Sequence, residues 1–134
     1  MYLVDTNVVS EARRGRSEAV AFLRSVDPDS LFLSVVTLGE IMRGAALKQK
    51  NDPKAAARLI EWLETLRRSY GRRILPVTDS VAIEWGRLAA LRPRGDADGL
   101  IAATAIVHDH VLVTRNVADF SDTRAKLLNP WGTH

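Results

Sequence analysis

The sequence predicts an α/β fold, a mostly parallel central sheet flanked by helices in a single domain spanning residues 1-134. Three observations carry this prediction. Short β-rich runs alternate with amphipathic helical stretches, the pattern of a parallel sheet with crossover helices. The 134 residues suit one domain with a real hydrophobic core, and no repeat, low-complexity tract or long linker divides them. No apolar run approaches the ~20 residues needed to span a bilayer.

Tyr2 to Val4 reads as the first strand. Thr6 or Asn7 is placed to cap a short helix through Ala12, which Gly15 ends. Ser17 is placed to cap a second helix, whose apolar stripe is Ala19, Val20, Phe22, Leu23 and Val26. Asp27-Pro28-Asp29-Ser30 is a turn, and Leu31 to Ser34 the second strand. Thr37 is expected to open the next helix, with Leu38, Ile41, Met42 and Ala45 facing inward. Asn51-Asp52-Pro53 breaks the chain. Pro53 then starts a long helix with Leu59, Trp62, Leu63 and Leu66 on one face, stopped by Gly71. Ile74 to Val77 is a third strand, kept short by Pro76. The helix after Asp79 turns Val81, Trp85, Leu88 and Ala89 inward and ends at Pro93. Gly95-Asp96-Ala97-Asp98 leads into another helix. Val111 to Val113 is a buried strand, and Leu127 and Leu128 form a last one.

Four acidic positions fall just after strands or at helix starts. They are Asp5, Glu40, Asp98, and the stretch Thr114-Arg115-Asn116-Val117-Ala118-Asp119-Phe120. In a parallel sheet those places share the carboxyl edge of the strands, where ligands bind. Carboxylates crowded there repel unless a cation neutralises them, and hard oxygen ligands select Mg²⁺ or Mn²⁺. Blander readings stand beside this one. Asp5 serves equally as a helix cap, and Asp98 as a charge favoured at a helix N-terminus. Thr37-Leu38-Gly39-Glu40 has the form of a capping box, in which the glutamate bonds back to the backbone. By residues alone the two readings of Glu40 are even. Asn116 also reads as a turn residue, and Asp119 as an exposed carboxylate.

Five stretches in order carry a resemblance. They are Leu3-Val4-Asp5-Thr6-Asn7-Val8-Val9-Ser10, Leu33-Ser34-Val35-Val36-Thr37-Leu38-Gly39-Glu40, Asp98-Gly99-Leu100-Ile101-Ala102-Ala103-Thr104-Ala105, Val113-Thr114-Arg115-Asn116 and Asn129-Pro130-Trp131. With these the sequence resembles the PIN-domain ribonucleases, and more narrowly the VapC-type toxins of bacterial toxin–antitoxin pairs, the FitB-like branch especially. The resemblance implies a PIN-like domain in which Asp5, Glu40 and Asp98 bind the metal. Some relatives carry an aspartate where this chain has Asn116, and others rely on the acid three residues later, here Asp119. The fourth position therefore stays open between them. The resemblance also implies an RNA substrate, a cognate antitoxin that occludes the acidic site, and a homodimer or toxin–antitoxin hetero-oligomer.

Composition narrows the alternatives. With no cysteine there is no disulfide or thiolate chemistry, and a cytoplasmic location is expected. The net charge of +3 is modest, and arginine far outnumbers lysine. Arg13, Arg14 and Arg16 cluster, as do Arg67, Arg68, Arg72 and Arg73, while Arg92 and Arg94 flank Pro93. Taken alone these are solvated faces. Beside an acidic metal site they become a rim that lets a polyanion approach.

The chemistry expected is hydrolysis of an RNA phosphodiester by metal-activated water, with no protein nucleophile. Thr6 and Asn7 are candidates to orient the carboxylates, and Arg115 to bind substrate phosphate or balance charge. His108 and His110 offer metal-free acid–base cleavage but lack a third partner, and His134 is terminal. An aspartyl-nucleophile phosphatase would carry an aspartate where Asn7 stands. No glycine-rich phosphate loop is present. Trp62 and Trp85 read as core, and Trp131 as packing down the tail. Two rivals remain: a catalytically silent scaffold that binds RNA or protein, motivated by Asn116, and a DNA-directed repair nuclease.

Overall fold

The computed structural model describes residues 1–132, so His134 lies outside the described residues. The described residues form five parallel strands and six α-helices. β1 (Tyr2–Val4) leads through α1 (Thr6–Arg13) and α2 (Ser17–Ser25) to β2 (Leu31–Ser34). α3 (Val35–Lys48) and α4 (Pro53–Tyr70) lead on to β3 (Ile74–Leu75), and α5 (Asp79–Leu91) and α6 (Asp96–Val107) to β4 (Val111–Val113). A short 3₁₀ turn over Val117–Phe120 precedes β5 (Leu127–Leu128). The sheet order is β3-β2-β1-β4-β5. Tyr2 is in register with Leu31 on one side and Val111 on the other.

Strand alternation divides the core between the two faces of the sheet. Val4, Leu31, Leu33 and Val113 pack with α1, α2 and α4 through Val8, Val9, Ala19, Leu63 and Leu66. Leu3 and Leu112 point the other way, onto α5 and α6 through Val81, Leu88 and Ile101. α6 is buried along nearly its whole length, which is why it is apolar all round. Trp62 and Trp85 pack half-buried on opposite faces of the sheet, and Trp131 packs against the first.

Several helix starts differ from expectation. α1 is capped not by Thr6 or Asn7 but by Asp5, as the blander reading of that residue had it, with its Oδ1 accepting the Thr6 N–H at 2.8 Å. Ser17 is the first residue of α2, and its hydroxyl goes to Glu18. α3 begins two residues before Thr37, with Ser34 Oγ accepting the Val36 N–H at 3.0 Å. A serine at the strand end can cap at once, so strand and helix join without a loop. α6 opens at Asp96, which puts Asp98 inside its first turn. Pro76 has no N–H to donate, and β3 stops at Leu75 rather than Val77. Met42 is 43% exposed, and Ala89 also faces out, so both leave the inward sets assigned to them. Glu84 takes the inward place on α5 instead, paired with Arg124 and Arg87.

Candidate metal centre at the sheet switch point

The chain moves outward from β1 to β2 and β3, then returns to lay β4 on the other side of β1. Such a reversal opens a crevice at the carboxyl ends of the two strands. Asp5 stands there. It follows β1, donates its N–H to the Val113 carbonyl at 2.9 Å, and is only 2% exposed. Its Oδ2 accepts the hydroxyl of fully buried Thr114 at 2.9 Å, and its Oδ1 accepts the Thr6 N–H. Asn7 Nδ2 approaches the same Oδ2 at 3.4 Å, while its Oδ1 accepts the Arg115 N–H at 3.3 Å.

Glu40 reaches the crevice from the second turn of α3. Its Oε1 accepts the Thr6 hydroxyl at 2.6 Å. Thr6 Oγ1 also lies 2.8 Å from Thr37 Oγ1. The Thr6 proton is committed to Glu40, so Thr37 is the donor in that pair. Thr37 and Glu40 share a helix face at i, i+3. The capping-box reading of Glu40 is thereby overturned: Ser34 caps α3, and the Glu40 carboxylate is turned toward Thr6.

Asp98 enters from α6 and is half-buried, while Asp96 is exposed. Gly99 beside it lets α6 lie close to α5: a Cβ there would be 3.0 Å from Trp85 Cδ1. Asp119 lies on the 3₁₀ turn after β4, with its side chain 60% exposed. Its backbone is held from the α5–α6 connection. Arg94 Nη1 donates to the Asp119 carbonyl at 2.9 Å, and Arg92 Nη2 donates to the same oxygen. Arg94 is buried to 5% side-chain exposure and also donates to Asp122 Oδ2 at 2.9 Å. Asn116 is exposed and gives its N–H to Thr114 Oγ1 at 3.1 Å.

The acids feel one another. Burial first pushes the Asp5 carboxyl up to about 6, with the charges of Asp98 and Glu40 adding to it. The hydrogen bonds from Thr114 and Thr6 oppose that rise without cancelling it. Asp98 is also raised, by burial and then by Asp119. Glu40 and Asp98 thus act on Asp5, and Asp119 on Asp98, an acidic row in charge coupling. A divalent cation would offset the unfavourable burial of Asp5. Among the described residues no three acidic or histidine side chains converge into a ready-made cage. The oxygen donor set suits Mg²⁺, which usually keeps several of its waters and takes only one or two carboxylates directly.

His108 and His110 fall elsewhere. They precede β4, at its amino end, on the sheet edge opposite Asp5. Their rings lie 5.7 Å apart, and His110 packs against Phe32. Arg115 is exposed, with its guanidinium 4.5 Å from the centroid of the Trp131 ring. Sequence reasoning missed Thr114, Thr37, and the Arg92–Arg94 pair that holds Asp119. Thr37 was accessible from its i, i+3 spacing to Glu40. Thr114 was not, because its partner is fixed by the β1–β4 pairing.

A family model for the PIN domain matches residues 2–126. The chain belongs to the PIN-domain family. Within that family its likeness runs to toxins. It is 33% identical to Toxin FitB of Neisseria gonorrhoeae, covering 98% of this chain and 99% of that one. The FitAcB crystal structure from the same organism superposes with a TM-score of 0.87 over 99% of this PIN chain and 100% of that one. A VapC ribonuclease of Sinorhizobium fredii is 28% identical, over 98% of each protein. A toxin-antitoxin complex from Klebsiella pneumoniae superposes with a TM-score of 0.73 at 25% identity, covering 99% of this chain and 100% of that one. No helix among the described residues of this PIN domain is long and apolar enough to cross a membrane.

Proposed function

We propose that this protein is an Mg²⁺-dependent endoribonuclease, the toxin of a type II toxin–antitoxin module, with Mn²⁺ as a possible substitute ion. The observation that carries the reading is Asp5, a buried carboxylate facing two other acids at the switch point of the sheet. Asp5, Glu40 and Asp98 would hold the ion, some through water, and Asp119 completes the acidic row. Held there, an ion would supply Lewis-acid polarisation of the scissile phosphate and lower the pKa of a water so that its hydroxide form could be the nucleophile. The chain's own residues supply orientation. Thr6 touches two acids at once, with its N–H on Asp5 and its hydroxyl on Glu40. Thr114 holds the other Asp5 oxygen, and Asn7 joins that corner to the backbone of Arg115. Arg115 and Asn116, exposed just after β4, would meet substrate phosphate. The toxin and the toxin–antitoxin complex it resembles support a cognate antitoxin as partner, and we propose a homodimer or hetero-oligomer acting in the cytoplasm.

The test is cleavage of single-stranded or looped RNA with Mg²⁺, with Mn²⁺ and with excess EDTA, by wild type and Asp5→Asn. Cleavage that needs metal and disappears in Asp5→Asn is expected. Undiminished cleavage in chelator would return the chemistry to His108 and His110. Asn116, standing exposed where some relatives carry an aspartate, favours a second reading, a silent PIN scaffold that binds RNA or protein. That reading predicts RNA binding with no cleavage by wild type under any metal.

A further inference from the structure

A groove of about 400 Å³ opens between α1, α3 and α4, and Thr6 and Glu40 are among the residues lining it. It is therefore continuous with the acidic crevice. Its lining carries four bases, Arg13, Arg14, Lys48 and Arg58, against the single acid Glu40. Arg14 is tied to Glu11 at 3.2 Å. Arg13, Lys48 and Arg58 have no acidic partner within ion-pair distance among the described residues. Arg13 lies over the Trp62 ring, 5.2 Å from its centroid. Arg58 and Trp62 are four residues apart on α4 and share its face. The opposite end of the crevice is different, because Arg92 and Arg94 spend donors on the Asp119 carbonyl and on Asp122.

We infer that this groove binds the single-stranded RNA flank next to the scissile phosphate. Its phosphates lie on Arg13, Lys48 and Arg58, and a base lies against the Arg13–Trp62 pair. The inference rests on the ribonuclease reading and names the track by which substrate reaches the acids. Unpaired cations beside an aromatic side chain are the two elements of single-strand binding. A duplex buries its base faces and would leave Trp62 without a stacking partner.

The experiment uses the full chain in EDTA, where binding is read without metal-dependent cleavage. The probe is a fluorescent oligouridylate of about 12 nucleotides, within the range of single-strand site sizes. Affinity is measured by anisotropy against salt. A Lys48→Gln, Arg58→Gln double variant should lower the slope of log K on log salt by about 1.4, two contacts at ~0.7 each. Gly44 also lines the groove, and a Cβ built on it meets nothing within 4 Å. Gly44→Glu therefore adds a Cβ that meets no neighbour and brings negative charge to the groove, and should weaken binding at least ~10-fold. An abasic form of the oligonucleotide should bind wild type several-fold more weakly. Equal affinity for it overturns the stacking.

Wild-type affinity and slope in both groove variants overturn the inference. If those variants keep wild-type RNA affinity and lose binding of a co-expressed antitoxin, the groove belongs to a polypeptide and the inference is overturned. Cleavage with Mg²⁺ is followed in parallel. Wild type that binds through the groove but never cleaves overturns the ribonuclease reading and supports the groove. Wild type that cleaves while groove variants bind and cleave equally overturns the groove alone.

Discussion

Thr114 and Asp5 are 109 residues apart in the chain, and Thr114 Oγ1 donates to Asp5 Oδ2 at 2.9 Å. Both are buried, each directly after one of two adjacent parallel strands. The same Thr114 oxygen accepts the Asn116 N–H. One hydroxyl thus links the acid at the centre of the crevice to the loop that leads to Asp119. Removing it loosens two parts of the site together.

Thr114→Val keeps the shape of the side chain and removes that donor. It leaves Asp5 with less stabilisation as a carboxylate and the Asn116 N–H without its partner. Metal affinity should fall about 10-fold or more, as for other groups that orient a ligand. A calorimetric Mg²⁺ titration checks this, and unchanged affinity would remove Thr114 from the site.

Metal-free stability should depend on pH through Asp5. Its carboxyl is raised from 3.8 to about 6 in the folded chain, so the folded state holds the proton more tightly than the unfolded state. Stability is therefore greatest below the unfolded value and declines as pH rises through the folded one. A shift of ~2 units corresponds to roughly 3 kcal/mol lost by neutral pH. In EDTA, the melting temperature of wild type relative to Asp5→Asn should fall between about pH 4 and pH 7. Added Mg²⁺ should narrow the gap at neutral pH. Parallel curves would mean that Asp5 ionises as an ordinary carboxylate.

Glu40→Gln separates site from scaffold, because α3 is capped by Ser34 and not through Glu40. Cleavage should fall steeply, since a neutral amide is a poor Mg²⁺ ligand. Without metal, the melting temperature should hold or rise, since one charge leaves an acidic row. Ser34→Ala should do the reverse, costing about 1 kcal/mol of stability for the lost cap. Wild-type cleavage and undiminished stabilisation by Mg²⁺ in Glu40→Gln would exclude it as a ligand.

The fourth acid is tested by Asp119→Asn and Arg94→Gln together. Asp119→Asn should lower turnover while leaving the fold intact, since its side chain is exposed. Arg94→Gln should also lower turnover, by releasing the Asp119 backbone. If Asp119→Asn cleaves and responds to metal like wild type, the working site has three acids, Asp5, Glu40 and Asp98.

Much of this protein was legible before folding. Alternation of period two and period 3.6 marked the strands and helices, because each element must turn an apolar face to the core. Asp5 and Asp98 stood out because an acid directly after a strand or in a first helical turn can reach the carboxyl edge of a parallel sheet, whereas Glu40, in a second turn, was even with a helix cap until the resemblance favoured it. Their local company was also written in the chain, as in Thr6 beside Asp5 and Thr37 three residues before Glu40.

What the chain could not display was decided by tertiary structure. The end of β2 at Ser34 was legible, but that α3 starts there at once, with Ser34 as its cap, was not. Glu40 was freed from the backbone only because Ser34 took the capping role and Thr6 arrived from another element. Thr114 met Asp5 because β4 returned to lie beside β1, and Arg94 met Asp119 because α5 and α6 pack over that edge. Residue type and local spacing determine what an acid can do. The strand order determines which acids share a crevice, how deeply they are buried and which donors hold them.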